Sequence, residues 1–405
     1  MSIITLFSGS FCDENRVLQE IISSTGYRLI TDTDVVAEAS RRSALSESKI
    51  MRAFSAGASV FDKFTHEKMR SIAFLKLALA AIIPDDEALV TCFCGQLIPK
   101  AVNHTLRVCL IASFKHRIAV ASQAHGLSEK DAVKLIQKRE KDCAAWIQML
   151  FNQSDPWAAD LYDIFIPVDK MTPADAAALI AENAAKDVVR PTKTSQQALA
   201  DFRLAAETEV ALARQGHNVE VSAKEGTISI TINKHVLMLS RLQDELKSIA
   251  ERVPGVKAVE TKVGKDFHRS DIYRKYDFEM PSKVLLVDDE REFVQTLSER
   301  LVMRDMGPAV VYDGESALNL INEDEPDVMI LDLKMPDIDG LEVLRKVKQT
   351  RPEIEVIILT GHGNEADRKR CMELGAFAYL QKPLDINVLS ETIQKANEKI
   401  RRRKT

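Results

Sequence analysis

The last third of the chain alternates short apolar runs with longer amphipathic segments, and this alternation constrains the fold more than any other feature. From Lys283 onward, β-branched apolar runs occupy 284–288, 309–312, 327–332, 355–360 and 376–380, and a final helical pattern covers 386–401. Repeated strand–helix pairs of this kind are typical of a domain built on a parallel sheet. The sequence therefore predicts a (βα)5 domain over 283–405.

Acidic and polar side chains follow the strands of this predicted sheet, at the edge where parallel sheets bind ligands. Asp288 and Asp289 end the first strand, Asp332 ends the third, Thr360 ends the fourth and Lys382 follows the fifth. Converging carboxylates raise each other's pKa unless a cation intervenes, and Mg²⁺ suits such oxygen ligands. With the ion in place, an Asp332 oxygen is positioned to attack a phosphoryl group whose oxygens Thr360 and Lys382 bind.

The same residues resemble the response-regulator receiver family over the whole of 283–405. The matching motifs are LLVDDE, LDLKMPDIDGLE, LTGHG and YLQKP. The resemblance implies a flavodoxin-like fold, Mg²⁺ as cofactor, and an aromatic side chain that changes rotamer on phosphorylation. The residues that it assigns to the site are the phosphoacceptor Asp332, the metal ligands Asp288, Asp289, Asp332 and the backbone carbonyl of Lys334, and the phosphoryl-binding or switch residues Thr360, Lys382 and Tyr379.

The resemblance also implies a partner and a cellular role. A receiver takes its phosphoryl group from a histidine kinase or a phosphotransfer protein, and a homodimer through the receiver stays open. We find no helix-turn-helix or other DNA-reading pattern before or after this domain, which disfavours transcriptional output. The expected role is phosphorelay signal transduction in which the receiver switches the upstream domains.

Residues 1–188 form a second α/β pattern. A strand, IITLFS, leads into Ser8, Gly9 and Ser10, where a phosphate-binding loop would lie, and a helix begins near Glu14. A long helical stretch is predicted from Asp34 onward, followed by strands at 88–93 and 107–112. One glycine and two acids at the start of the first helix make a weak phosphate loop, since acids there repel a nucleotide phosphate.

Three later segments, at 107–118, 127–151 and 155–180, resemble the cytidylate-kinase-like family in order and spacing. The resemblance implies a P-loop-kinase-like fold whose basic lid includes Arg117 and either Lys138 or Arg139. The glycine-rich run is missing, and the expected lid arginine reads Cys143. Because phosphoryl transfer depends on positioned cations, we favour a degenerate kinase fold used for binding. An active pyrimidine monophosphate kinase regulated by the receiver is the alternative, and nucleotide binding stays open.

The middle region, 199–266, has the order helix, two strands, helix, strand, with a hairpin signal at Glu225-Gly226. The segments KEGTISITI and PGVKAVETKV resemble a BON domain, which implies a small α+β interaction or spacer module. Polar stretches at 186–197 and 267–281 predict linkers on either side of it. A purely structural adaptor is a third interpretation of the whole chain.

Bulk properties limit the remaining possibilities. A chain of 405 residues exceeds one hydrophobic core, so a multidomain α/β protein is expected. The six cysteines are scattered without a CxxC pair, which indicates reduced thiols, and no apolar run is long enough to span a membrane. With a net charge of -5 and no secretory signal pattern, a cytoplasmic location is expected.

Overall fold

The computed structural model describes residues 2–43, 45–57, 67–233, 239–264, 283–302, 304, 306–336, 338–361 and 364–404. The chain divides into two compact units: one holds the described residues of 2–57 and 68–264, and the other includes those from 283 to 404. The predicted linker at 267–281 lies outside the described residues. In the part of the chain that is described, no helix is long and apolar enough to cross a membrane.

The first unit contains a five-stranded parallel sheet in the order β2-β3-β1-β4-β5. Its central strands are almost wholly buried, which explains their continuous runs of apolar residues rather than an alternating pattern. Helices cover the sheet, and side chains from both layers form one core. The strands are β1 (Ile3–Ser8), β2 (Arg28–Ile30), β3 (Ala88–Thr91), β4 (Thr105–Ile111) and β5 (Ile164–Pro167).

Helices of several lengths connect these strands. The longest, α7, begins at the Ser128 cap, whose side chain accepts a hydrogen bond from the Asp131 amide, and it places Trp146 in the core. The helices are α1 (Glu14–Thr25), α2 (Asp32–Ser43), α3 (Glu47–Met51), α4 (Glu67–Ile82), α5 (Cys92–Gly95), α6 (Phe114–His125), α7 (Glu129–Phe151) and α8 (Pro173–Ala184).

The middle region belongs to the same compact unit. Helix α9 (Lys193–Arg214) leads into strands β6 (Glu220–Lys224) and β7 (Thr227–Ile232), helix α10 (Leu239–Ala250) and strand β8 (Ala258–Val263). Strands β6 and β7 pair antiparallel, whereas β7 and β8 pair parallel across the α10 connection. Glu225 and Gly226 have φ values of 52° and 88°, so the predicted hairpin turn is confirmed.

The second unit is the predicted (βα)5 domain, and its sheet order β10-β9-β11-β12-β13 is the 2-1-3-4-5 order of flavodoxin-like folds. Two apolar cores lie on the two faces of the sheet. The elements are β9 (Val284–Val287), α11 (Arg291–Val302), β10 (Pro308–Val311), α12 (Gly314–Glu323), β11 (Val328–Leu331), α13 (Gly340–Thr350), β12 (Glu355–Thr360), α14 (Glu365–Glu373), β13 (Ala378–Gln381) and α15 (Ile386–Lys404).

Several sequence predictions for the first unit were wrong in detail. The stretch from Asp34 onward is not one long helix, because α2 ends at Ser43 and Ser46 starts α3 as a new N-cap. Strand β2 was not predicted, since it has only three residues. The predicted linker at 186–197 is shorter than expected: Thr192 forms a capping box with Ser195, and α9 begins at Lys193.

Candidate functional site

Parallel pairing brings the acids of the second unit together. Val287 at the end of β9 pairs with Leu331 at the end of β11, so the next residues, Asp288 and Asp332, emerge at the same edge of the sheet. Ligand oxygens of Asp288, Asp289 and Asp332 lie within 4.8 Å of one another. Asp288 and Asp332 are buried, whereas Asp289 is exposed. The structure therefore forms an acidic cluster with one solvent-facing carboxylate.

The Lys382 ammonium lies inside this cluster. Its Nζ is 2.7 Å from Asp288 Oδ2, 2.9 Å from Glu290 Oε1 and 3.6 Å from Asp332 Oδ2. The backbone holds the lysine in place, because its amide donates to the Thr360 carbonyl at 3.0 Å. The peptide that joins it to Pro383 is cis. One cation is thus shared by three carboxylates.

Burial and pairing act in opposite directions on the charges at this site. Burial raises the pKa of Asp288, although the hydrogen bond from Lys382 and the one from the Glu290 amide oppose that rise. For Lys382, burial favours the neutral form, yet the hydrogen bonds to Asp288 and Glu290 outweigh it and raise its pKa. Lys382 therefore stays charged, whereas the pKa of Asp288 remains above its usual value despite the neighbouring lysine.

The loop after β11 fits closely around Asp332. The Leu333 amide donates to Asp332 Oδ1 at 2.7 Å, and the Gly340 amide donates to the Leu333 carbonyl at 2.9 Å. A Cβ atom at position 340 would lie 2.0 Å from the Asp332 carbonyl oxygen. Glycine is required there because helix α13 begins directly against the backbone that carries the acid.

The remaining predicted residues of this unit surround the same edge. Thr360 ends β12 and is fully buried, and Tyr379 lies on β13 opposite Ile358. Within the described residues, the Tyr379 hydroxyl is buried without a hydrogen-bond partner, and burial raises the pKa of this phenol. Lys334 is exposed two residues after Asp332.

The donor set fits a hard divalent cation. Three carboxylates within reach of one ion offer only oxygen atoms, and the exposed Asp289 leaves an approach from solvent. Soft metals would prefer thiolate or imidazole ligands, which this cluster does not contain. This acidic group is therefore consistent with a Mg²⁺ site.

The predicted phosphate loop of the first unit accepts a hydrogen bond from an arginine of the same chain. Arg117 is buried, and its Nε donates to the Ser10 carbonyl at 2.8 Å while Nη1 lies 2.6 Å from Glu140 Oε1. The loop thus turns a carbonyl toward the arginine, where a phosphate loop would offer amides to an anion. Gly9 lines a small cavity of about 120 Å³ beside Arg117, Cys12 and Trp157. The structure does bring Gly9, Ser10 and Arg117 together.

Other side chains near this loop also lie close to groups of the same chain. The Arg139 guanidinium lies 5.4 Å from the centre of the Phe11 ring, and His116 Nε2 is 3.6 Å from Asp13. Ser8 donates to the carbonyl of Gly9. Cys143, at the position of the expected lid arginine, is buried, and burial raises the pKa of its thiol to about 12. Helix α7 therefore turns part of its length toward the core.

Sequence reasoning missed two sets of polar contacts that lie next to these sites. Glu290 was not singled out, although its position next to the Asp288-Asp289 pair was a usable signal for its contact with Lys382. The second group lies behind the loop of the first unit, where the Cys92 thiol donates to Glu14 and Asp32 accepts from the Cys94 amide. Burial raises the pKa of Asp32 to about 6. These contacts join residues far apart in sequence, so spacing could not reveal them.

Comparison with known proteins assigns families to two segments. Residues 284–394 match the response regulator receiver domain, and residues 3–170 match the cytidylate kinase-like family. Neither match covers the middle region, so its resemblance to a BON domain stays a prediction. The first two resemblances drawn from the sequence are confirmed at the level of the family.

Individual relatives match about a quarter to a third of the chain. The transcriptional regulatory protein CpxR of Escherichia coli is 43% identical over 104 residues, which is 26% of this chain and 44% of that protein. Response regulator MprA of Mycolicibacterium vanbaalenii is 36% identical over 110 residues, covering 27% of this chain and 48% of the relative. The chain spans less than half the length of these curated relatives. A solved response regulator receiver domain protein from Clostridium thermocellum is 34% identical, with 29% of this chain and 94% of that one covered and a TM-score of 0.28.

Proposed function

We propose that this chain, which joins a receiver domain at 284–394 to a cytidylate kinase-like region at 3–170, is a phosphorelay protein phosphorylated on Asp332. The observation that carries the proposal is the shared position of Asp288, Asp289, Asp332 and Lys382 at one sheet edge. The donor is a phosphohistidine of a partner kinase or phosphotransfer protein. The receiver then controls the unit that precedes it.

The side chains of the site divide the chemistry among them. An Asp332 oxygen forms the new bond to phosphorus while the bond from phosphorus to the donor nitrogen breaks, and the freed imidazole takes up a proton. Lys382 and Thr360 bind oxygens of the transferred group, and the three acids with the backbone carbonyl of Lys334 would hold the metal. When bound by the acids, Mg²⁺ neutralises the charge that gathers on the phosphoryl oxygens.

Tyr379 is the proposed reporter of this event. Its hydroxyl is buried and unpaired within the described residues, and it lies on the strand next to the one that ends in Thr360. A buried polar group without a partner is unfavourable, so a modest movement of Thr360 toward a phosphoryl group can change the preferred rotamer of the ring. The surface formed by α14, β13 and α15 would change with it.

For the first unit we favour a binding role over catalysis. Arg117 is held by the Ser10 carbonyl and Glu140, and Arg139 is held over Phe11, so both cations are used by the chain itself. Phosphoryl transfer needs such cations on the phosphate oxygens. The middle region, with its resemblance to a BON domain, would serve as an interaction module or spacer.

An active nucleoside monophosphate kinase is the second candidate, because one observation favours it. Arg117 Nη2 is buried beside the small cavity at Gly9 and has no hydrogen-bond partner in the described part of the chain. An anion would satisfy it. The two candidates differ in a direct assay: an active kinase transfers the γ-phosphoryl group of ATP to CMP or UMP, whereas the favoured function gives no product above the rate without protein.

Intact mass spectrometry after incubation with acetyl phosphate and Mg²⁺ tests the receiver proposal. We expect one labile phosphoryl adduct on the wild-type chain and none on Asp332→Asn. Size-exclusion chromatography of the phosphorylated and unphosphorylated protein then tests whether the upstream unit responds. An adduct that survives hydroxylamine, or no adduct on a folded protein, would exclude Asp332 as a phosphoacceptor.

A further inference from the structure

The three-stranded sheet of the middle region ends in a strand whose outer edge is unpaired. Strand β8 is the last in the order β6-β7-β8, and no strand of the described residues pairs with its other side. Its six residues, AVETKV, contain no proline or glycine, and most of them are exposed. An edge of this kind presents unpaired backbone amides and carbonyls to a further strand.

Backbone hydrogen bonding indicates which residues of β8 face outward. The Gly264 amide, directly after the strand, donates to the Ile232 carbonyl of β7 at 2.9 Å. Successive residues of a strand direct their backbone groups to opposite sides, so the even-numbered positions of β8 also turn theirs toward β7. The odd-numbered residues turn their amides and carbonyls outward, and they are Val259, Thr261 and Val263.

The side chains of β8 form one apolar face and one charged face. Val259 and Val263 lie opposite fully buried isoleucines of β7, yet Val263 is 42% exposed. On the other face, Glu260 and Lys262 are exposed, and neither has an ion-pair partner among the described residues. The edge therefore leaves an apolar side chain uncovered and two opposite charges unpaired.

A second copy of the same strand would match all of these features. When two β8 strands pair antiparallel about a two-fold axis at Thr261, each Glu260 lies opposite Lys262 of the other copy. Val259 and Val263 become reciprocal neighbours on the apolar face in the same way. The outward backbone groups of the two central threonines bond to each other. The strand is thus self-complementary in charge, in apolar side chains and in hydrogen bonding.

Charge selects this register over its neighbours. Side chains that lie opposite each other in an antiparallel pair share a face, so the axis is centred on a residue of β8. An axis at Glu260 would place the two copies of that carboxylate opposite each other, and an axis at Lys262 would do the same for the two ammonium groups. Like charges directly opposite each other are destabilising. Of these three registers, only the one centred on Thr261 pairs unlike charges.

We propose that the outer edge of β8 is a homodimer interface, through which two copies of the chain join their three-stranded sheets into one sheet of six strands. The partner is a second copy because each unpaired group of the edge finds its complement in the same edge. Two six-residue strands make a smaller contact than a standard interface of roughly 1,600 Å². The dimer should therefore be reversible and form at high protein concentration. It uses neither Asp332 nor the loop at Gly9.

Sedimentation equilibrium of the full-length chain measures this association, and the Asp332→Asn background excludes any contribution from phosphorylation. We expect a monomer–dimer equilibrium at low ionic strength. Glu260→Lys and Lys262→Glu should each weaken dimerisation at least tenfold, because each variant places like charges opposite each other on both sides of the axis. Lys224→Glu is the matched control, since it makes the same change in charge on the other edge strand, β6, and should leave dimerisation unchanged.

Restoring the opposite charges tests the register. An equimolar mixture of the Glu260→Lys and Lys262→Glu chains should form a heterodimer as tight as the parent homodimer, since every mixed pair again has opposite charges. The double variant Glu260→Lys/Lys262→Glu should dimerise like the parent. Thr261→Pro should abolish dimerisation without changing the circular dichroism spectrum, because proline removes the central outward amide and is tolerated on edge strands. A monomer at every concentration, a dimer unaffected by either charge reversal, or a mixture that associates no better than the single variants would overturn the proposal.

Discussion

Replacing Lys382 with Met should destabilise the receiver domain strongly, and the structure gives the size of the effect. Lys382 Nζ is 2.7 Å from Asp288 Oδ2 and 3.6 Å from Asp332 Oδ2. At an effective dielectric constant of about 20, these attractions are roughly 6 and 5 kcal/mol before desolvation is subtracted. Removing one partner of a buried ion pair costs roughly 3–5 kcal/mol, so we expect a loss of about 3 kcal/mol at neutral pH.

The loss should depend on pH with a definite sign. Burial already raises the pKa of Asp288 and Lys382 opposes that rise, so the pKa of Asp288 should rise further in the variant. A carboxyl whose folded pKa lies above its unfolded value favours folding at low pH, and this contribution is lost as pH rises through the folded pKa. The difference between variant and wild type should therefore be larger at pH 7.5 than at pH 4.5.

The assay can separate the two units within one sample. Both tryptophans, Trp146 and Trp157, lie in the first unit, so their fluorescence during urea unfolding reports that unit alone. Hydrogen exchange of β9 and β11 reports the receiver. Only the receiver should lose stability, and Lys382→Arg, which keeps the charge, should lose less. A loss of unfolding free energy in Lys382→Met that is equal at the two pH values, or greater at pH 4.5, would refute this reasoning.

Three further predictions concern the same site. Gly340→Ala should destabilise the receiver by at least about 2 kcal/mol, because its Cβ would meet a backbone oxygen at 2.0 Å. Gly375→Ala, with φ 93° and the Lys348 side chain at an ordinary contact distance of 3.7 Å, should cost about 1–2 kcal/mol. The urea midpoints of the receiver, followed by hydrogen exchange, compare the two variants. Mg²⁺ should raise the melting temperature of the wild type and leave Asp289→Asn nearly unchanged, since an ion that binds only the folded acids stabilises them. Glu290→Gln should change stability by less than about 1 kcal/mol but lengthen the lifetime of the phosphoryl adduct in intact-mass time courses, because the site lysine loses a competing carboxylate.

The fold of the receiver could be predicted almost completely from sequence because its information is local. Each strand of a parallel sheet is a short buried run, and the candidate site residues stand directly after the strands, so order along the chain gives proximity in space. The parallel pairing of Val287 with Leu331 brings Asp288 and Asp332 to the same sheet edge, as the order of the strands predicted. Glu290 was missed because its role depends on a side-chain direction, which spacing does not encode.

The first unit was less predictable for physical reasons. Whether the Ser8–Ser10 loop faces an anion depends on which backbone groups point inward, and Arg117 reaches the loop from 107 residues away. The ion pair between Lys76 and Glu209 joins two regions that the sequence suggested were separate. Short elements such as β2 have too few residues for a periodic signal.

Chemical mapping of the phosphorylated residue tests the central proposal most directly. After phosphorylation by acetyl phosphate with Mg²⁺, borohydride reduction converts an aspartyl phosphate to homoserine, which tandem mass spectrometry of peptides can locate. We predict homoserine at position 332 in the wild-type chain and at no other aspartate, and none when Lys382→Met or Mg²⁺ depletion removes the phosphoryl-binding groups. Homoserine at another position, or a phosphoryl adduct that persists in Asp332→Asn, would contradict the account.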